Sequence, residues 1–157
     1  MERGPAWAAN AKDGVVYMRI EGMLTKQVVD ATRRLQIEAL RQRPKGIGII
    51  LDLGERPSLP SGEVRDYATR MAARYPEGIL AHVTILGGEG FVASALRSAL
   101  TGIFLVARSP YPRAVVGSAS EAAQAARMHL GTSAPDAASM IRALGELREE
   151  LAASSRV

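Results

Sequence analysis

The chain has 157 residues, of which 47% are hydrophobic and 4% aromatic, so it is long enough for one domain with an aliphatic core. It contains no cysteine, which excludes disulfides and a thiol nucleophile. No apolar run approaches the roughly 18 residues of a membrane span, and the first residues lack the pattern of a secretory signal. We therefore expect a cytoplasmic protein without a membrane span.

The formal net charge of +4 makes nucleic-acid binding the first function class to test. The arginines are spread along every predicted helix, and most of them have an acidic residue nearby. No basic run is interleaved with aromatic residues that could stack on bases. We therefore expect no nucleic-acid partner.

The N-terminal part predicts a β-hairpin followed by a helix. Asp13-Gly14 is a tight-turn dipeptide between apolar runs at residues 7–10 and 15–22. Thr25 is a helix cap, and apolar residues at helical spacing continue until Pro44. Residues 46–53 are isoleucine-rich and do not alternate, which is typical of a central strand buried on both faces.

Strands and helices alternate in the rest of the chain. A helix that begins at Ser61 leads to a second buried strand at residues 79–86, and a capping box at Ser118 and Glu121 opens a later helix after a short strand at residues 113–116. This order predicts an α/β fold with a mostly parallel four- to five-stranded sheet, an N-terminal antiparallel hairpin strand, and helices packed on the sheet. Between the last two strands, the helix at residues 91–107 has one face formed by Val92, Leu96, Ala99, Ile103 and Val106.

The C-terminal segment predicts one more helix after a Pro-containing linker at residues 131–135. We therefore divide the chain into an α/β domain, residues 1–131, and a C-terminal amphipathic helix and tail, residues 132–157. Two alternatives remain open for its apolar stripe: it covers the domain's own core, or it pairs with a second copy in a homodimer. The stripe consists of Met140, Leu144, Leu147 and Leu151.

Two polar residues flank the loop after the first parallel strand. Asp52 ends a central strand, where open α/β sheets bind ligands, but we favour a carboxylate that accepts amide hydrogens from the loop and fixes it. Ser61 fits either an N-cap or a phosphorylation site, because both use the free amides of the helix's first turn. We favour the cap.

The sequence offers no catalytic set. Residues 87–90 (GGEG) match neither the dinucleotide fingerprint nor the P-loop. His82 and His129 are isolated, so neither is a candidate general base or metal ligand. We expect no enzyme activity, no cofactor and no metal site.

The ordered set of local sequences resembles the SpoIIAA-like, STAS/SEC14-type bacterial domains over about residues 5–130. The matching elements are Trp7, residues 13–22 (DGVVYMRIEG), residues 50–52 (ILD) and residues 118–122 (SASEA). The resemblance implies a four- or five-stranded sheet with helices packed on it. The wider STAS group includes anti-sigma factor antagonists, which are switched by phosphorylation of a serine in a D-S-x-G loop.

The corresponding loop in this chain departs from that motif. It contains Leu59-Pro60-Ser61-Gly62, so an alignment on the glycine puts Pro60 at the phosphorylated position and Leu59 at the acid. We therefore expect a regulatory, non-enzymatic STAS-like domain that acts through protein–protein interaction without a working phosphoserine switch. The alternative is a small-molecule or lipid sensor with an apolar pocket under the helix at residues 91–107. The expected interaction surface consists of Asp52, Glu55, Arg56, Ser61, Glu63, Arg65 and Asp66.

Overall fold

A computed structural model describes residues 1–54, 58, 60–74, 77–106 and 109–154, with residues 103–106 described by their backbone alone. Within these ranges the chain forms one six-stranded sheet in the order β1-β2-β3-β4-β5-β6. The first three strands are antiparallel and the rest are parallel. The strands are β1 Glu2–Gly4, β2 Trp7–Lys12, β3 Val15–Ile20, β4 Ile47–Asp52, β5 Ile79–Ile85 and β6 Arg113–Val116.

Five α-helices connect and follow these strands within the described ranges. They are α1 Lys26–Gln42, α2 Gly62–Arg74, α3 Gly90–Val106, α4 Ala119–Leu130 and α5 Ala137–Ser154, with a short 3₁₀ turn at Gly131–Ser133. The predicted fold class is confirmed, with one strand more than expected. That strand, β1, pairs with β2 at the edge of the sheet.

Local sequence explains the main turns and helix starts. Asp13 and Gly14 both have positive φ, at 53° and 79°, as the tight hairpin turn between β2 and β3 requires. Thr25 caps α1 and Ser118 caps α4 through their side-chain oxygens. The carboxylate of Glu121 completes the second cap by accepting the amide hydrogen of Gly117, one residue earlier than in a standard capping box.

The sheet separates two apolar clusters. On one face, α1 packs its buried side chains on Val16, Met18 and Ile20. On the other face, α4 and α5 pack on Tyr17, Ile50 and their neighbours. Right-handed crossovers place α2 and α3 on the α1 side, and α2 contacts α1.

The C-terminal helix lies on the chain's own sheet. Met140, Leu144, Leu147 and Leu151 are all buried, in the same cluster as Val15 and Tyr17 of β3. The structure therefore corresponds to the first of the two alternatives for this stripe. In this packing the four side chains face the sheet and are not available as a dimer interface, and α5 shares its core with the strands of residues 1–131.

Helix α3 does not bury the face that its periodicity predicts. The periodicity puts Val92 and Leu96 on the apolar face of the helix, yet they are 70% and 39% exposed. The physical reason is the size of the surface below the helix, because α3 packs against β6, an edge strand of only four residues. No helix of the described part of the chain is long and apolar enough to cross a membrane.

Candidate docking surface

The starts of α2 and α3 lie at the same edge of the sheet. These helices follow β4 and β5, which are neighbouring parallel strands, so both begin at the carboxyl edge where open α/β folds place their functional groups. Four of the expected surface residues are exposed there: Ser61, Glu63, Arg65 and Asp66. Glu55 and Arg56 lie outside the described residues.

Asp52 is buried and belongs to an internal charge cluster, so its place in the expected interaction surface was wrong. Its Oδ1 accepts the amide hydrogen of Gly54 at 3.1 Å, which is the loop-bracing role that the sequence favoured. Its Oδ2 accepts hydrogen bonds from Arg19 at 2.5 Å and from the Nη2 of Arg148 at 3.1 Å. Glu21 pairs with the same Arg19 guanidinium. Asp52 thus joins the loop after β4 to β3 and α5.

Sequence reasoning did not identify the two arginines of this cluster. Arg19 could have been found from the sequence, because it is the only charged residue within the strand sequence VVYMRI. A buried charge needs a partner, so an acidic residue was to be expected near it. Arg148 could not have been found in this way, because it lies 96 residues from Asp52 along the chain.

Helix α2 is held to α1 by polar contacts. The Tyr67 hydroxyl donates to Asp30 Oδ1 at 2.5 Å, and this hydrogen bond raises the pKa of Tyr67. Glu63 forms an ion pair with Lys26, which lowers the pKa of the Glu63 carboxyl. No side chain of α2 that the structure describes is buried. The start of α2 is therefore a charged surface, and few apolar contacts hold the helix to the rest of the domain.

Arg65 and Asp66 are the charges of this surface that remain open to a partner. Among the described residues, neither of them forms an ion pair. Glu63, by contrast, is already engaged by Lys26.

The start of α3 adds exposed apolar side chains to the same edge. Phe91 is 87% exposed and Val92 is 70% exposed. The turn before them contains Gly88 and Gly90, both with positive φ, which lets the chain leave β5 and enter the helix within a few residues. The periodicity of α3 puts Val92 on its apolar face, and Phe91 belongs to none of the predicted sites.

Comparisons with known proteins address the fold. No family model matches the chain, and neither does any curated protein. A solved structure from Shewanella loihica PV-4, described as an uncharacterized protein of the DUF3478 family with a SpoIIAA-like fold, matches with a TM-score of 0.52 and 12% sequence identity. The match covers 74% of this chain and 90% of that chain. The chain has a SpoIIAA-like fold.

In this SpoIIAA-like fold, the loop between β4 and α2 ends on a helix cap. The Ser61 hydroxyl oxygen accepts the amide hydrogen of Val64 at 3.3 Å, and its carbonyl accepts that of Arg65 at 3.0 Å. This is the capping geometry that the sequence predicted. Leu59, which replaces the acid of the D-S-x-G motif, lies outside the described residues. The absence of a phosphoserine switch stays a prediction.

The SpoIIAA-like domain has an open groove beside α3, with a volume of about 700 Å³. Its α3 side carries Ser94, Arg97, Ser98 and Thr101, so the groove has a largely polar wall. The apolar pocket predicted under residues 91–107 depends in part on the side chains of residues 103–108, which lie outside the described set. The ligand-sensor alternative therefore stays a prediction.

The two histidines lie on different elements, His82 on β5 and His129 on α4. Burial, together with the positive charge of Arg113, lowers the pKa of His82 to about 3. His82 is therefore neutral at physiological pH. Within the described ranges, no three acidic or histidine side chains are grouped as metal ligands would be.

Proposed function

We propose that this chain is a non-enzymatic regulatory domain that binds another protein through the docking surface. The docking surface consists of Ser61, Glu63, Arg65 and Asp66 at the start of α2, and Phe91 and Val92 at the start of α3. The observation that carries the proposal is the exposure of Phe91 at the same edge of the sheet as Arg65 and Asp66, which form no ion pair among the described residues.

The two halves of the docking surface have different expected roles. An aromatic side chain that becomes fully covered is a typical binding hot spot, since a few such anchors contribute most of the affinity of an interface. Exposed charges contribute more to the choice of partner and to the rate of association. We therefore assign affinity to Phe91 and Val92, and specificity to Arg65 and Asp66.

Glu63 is a poor probe of this surface. It pairs with Lys26 of α1, so its replacement also weakens the attachment of α2. Among the described residues Arg65 has no such contact, so its replacement tests the surface more directly.

The test begins with affinity capture from the native organism and identification of the captured protein by mass spectrometry. The purified partner is then titrated by calorimetry against wild type, Phe91→Ser and Arg65→Glu. We expect Phe91→Ser to weaken binding at least roughly tenfold, because loss of a hot-spot anchor costs more than about 1.4 kcal/mol. Arg65→Glu should weaken binding and change its salt dependence.

Matched controls are available on α4, on the opposite face of the sheet. Met128 is 81% exposed, so Met128→Ser removes an apolar side chain of similar exposure to Phe91, and Arg127→Glu makes the same charge change as Arg65→Glu. Both controls should bind like wild type. Equal affinity of the wild type and Phe91→Ser, or a loss caused by Met128→Ser instead, contradicts the placement of the surface.

A further inference from the structure

The edge strand β6 turns part of its main chain away from the sheet. His82 donates its amide hydrogen to the Pro112 carbonyl and Leu86 to that of Val116, each at 2.9 Å. In a parallel ladder, alternate residues face the same neighbour, so residues 112, 114 and 116 face β5. Val115 therefore points its N–H and C=O groups outward, away from β5.

The two edges of the sheet are protected differently. At the other edge, β1 carries Glu2, which forms an ion pair with Arg34 of α1, and Arg3, which forms one with Glu150 of α5. Charged side chains on an edge strand oppose the addition of another strand. Strand β6 begins with a charged residue, Arg113, whose guanidinium donates a hydrogen bond to the Tyr111 hydroxyl. The remaining residues of the strand, Ala114, Val115 and Val116, carry no charge.

The groove beside α3 runs along this edge. Its walls are α3 on one side and Val115, Val116 and Gly117 on the other, and Glu121 of α4 also lines it. Arg97 is fixed in it by hydrogen bonds to the Leu86 carbonyl at 3.0 Å and the Gly88 carbonyl at 3.2 Å. Ser98 lies beside it and is exposed. A helix thus stands next to an edge strand, with open space and polar side chains between them.

We propose that this groove, the β6 groove, binds an extended peptide segment of another protein that adds to the sheet beside β6. The outward N–H and C=O of Val115 would pair with the main chain of the peptide, which is the source of affinity in strand addition. Alternate peptide side chains would face α3, where the hydroxyls of Ser94, Ser98 and Thr101 favour polar residues. Arg97 favours an acidic residue next to it, and Glu121, which also lines the groove, opposes a second one. The proposal is independent of the docking surface, since no residue of that surface lines the groove.

The probe is a phage-displayed library of random 12-residue peptides, selected on the full chain. Synthetic versions of the most enriched peptides are titrated by fluorescence anisotropy against wild type, Val115→Pro and Ser98→Trp. Val115→Pro removes the outward N–H, a position at which an edge strand tolerates proline. Ser98→Trp fills the groove from the exposed side of α3. We expect each variant to weaken binding at least tenfold.

The control is Ala95→Trp, which introduces the same bulk at an exposed position of α3 outside the groove. It should bind the peptides like wild type. Amide hydrogen exchange gives a second measurement, in which a bound peptide slows exchange at Val115 at least tenfold. If Val115→Pro does not fold, Ser98→Trp and the exchange at Val115 decide the question.

Three results would overturn the proposal. The first is a library from which no peptide is enriched. The second is a set of enriched peptides that bind Ser98→Trp as well as wild type or leave exchange at Val115 unchanged. The third is a concentration-dependent dimer that Val115→Pro abolishes, because the edge would then bind a second copy of this chain.

Discussion

His82 lies on β5, and its Nδ1 atom is buried and has no hydrogen-bond partner in the part of the chain that the structure describes. Burial and the positive charge of Arg113 lower its pKa to about 3, whereas the unfolded chain has the ordinary value of 6.5. The folded state therefore resists a proton that the unfolded state accepts. Stability from this residue is fully present above pH 6.5 and is lost as the pH falls from 6.5 towards 3.

We expect the free energy of unfolding of wild type to fall between pH 7.5 and pH 5 by on the order of 1 kcal/mol more than that of His82→Gln. Urea unfolding at the two pH values measures this difference. His129→Gln replaces the other, exposed histidine and should keep the wild-type dependence on pH. The same pH dependence in wild type and His82→Gln would show that His82 is not responsible.

For Asp52, the local role could be predicted from the sequence, but the burial could not. Its position at the end of an apolar strand was enough to predict a carboxylate that braces the following loop, and Gly54 donates the expected hydrogen bond. Its burial was not predictable, because it depends on Arg19 from another strand and Arg148 from the last helix. Contacts between segments that are far apart in the chain produce no pattern in the local sequence.

Helices α2 and α4 differ in how they are attached. Helix α4 buries Ala122, Ala123, Ala126 and Leu130, whereas α2 buries none of its described side chains. The polar contacts of Tyr67 and Glu63 with α1 hold α2 in place instead. Elements with few buried apolar contacts open at lower free energy than the core.

We expect the amides of α2 to exchange through local opening that costs at least about 2 kcal/mol less than the opening of α4. Tyr67→Phe removes the hydrogen bond to Asp30 and should speed exchange in α2 several-fold, since such a bond contributes about 1 kcal/mol. Exchange in α4 serves as the internal reference and should not change. Equal opening free energies for the two helices in native-state hydrogen exchange would contradict this account.

At the scale of elements, the alternation of patterns was sufficient to predict the order of the main strands and helices. Strand β1 was missed because its sequence, Glu-Arg-Gly, has no strand pattern and forms only by pairing with β2. The exposure of Val92 and Leu96 on α3 was not predicted either. Periodicity identifies which face of a helix is apolar, but the area of sheet below it depends on the length of β6.

The whole molecule consists of a sheet with an apolar cluster on each face, and α5 completes one of them over β2 and β3. The stripe on α5 could be recognised from its spacing. The sequence could not show which surface this stripe packs on, because the same spacing also fits packing against a second copy of the chain.

We expect Leu147→Ala to lower the free energy of unfolding by about 2–5 kcal/mol, as for other fully buried leucines. Ile141→Ala, at an exposed position of the same helix, should stay close to wild type. Urea unfolding measures both values, and light scattering of the same samples reports the oligomeric state. If Leu147→Ala keeps wild-type stability and instead dissociates a dimer, α5 pairs with a second copy.

The ion pair between Arg3 and Glu150 brings the two ends of the described chain together. A short linker from the end of α5 to the start of β1 would therefore join them with little strain, so the domain is suited to circular permutation and to insertion into a loop of another protein. A linker attached to the start of β1 or to the end of α5 would lie beside β1. That edge lies opposite β6, which keeps the β6 groove clear for binding experiments.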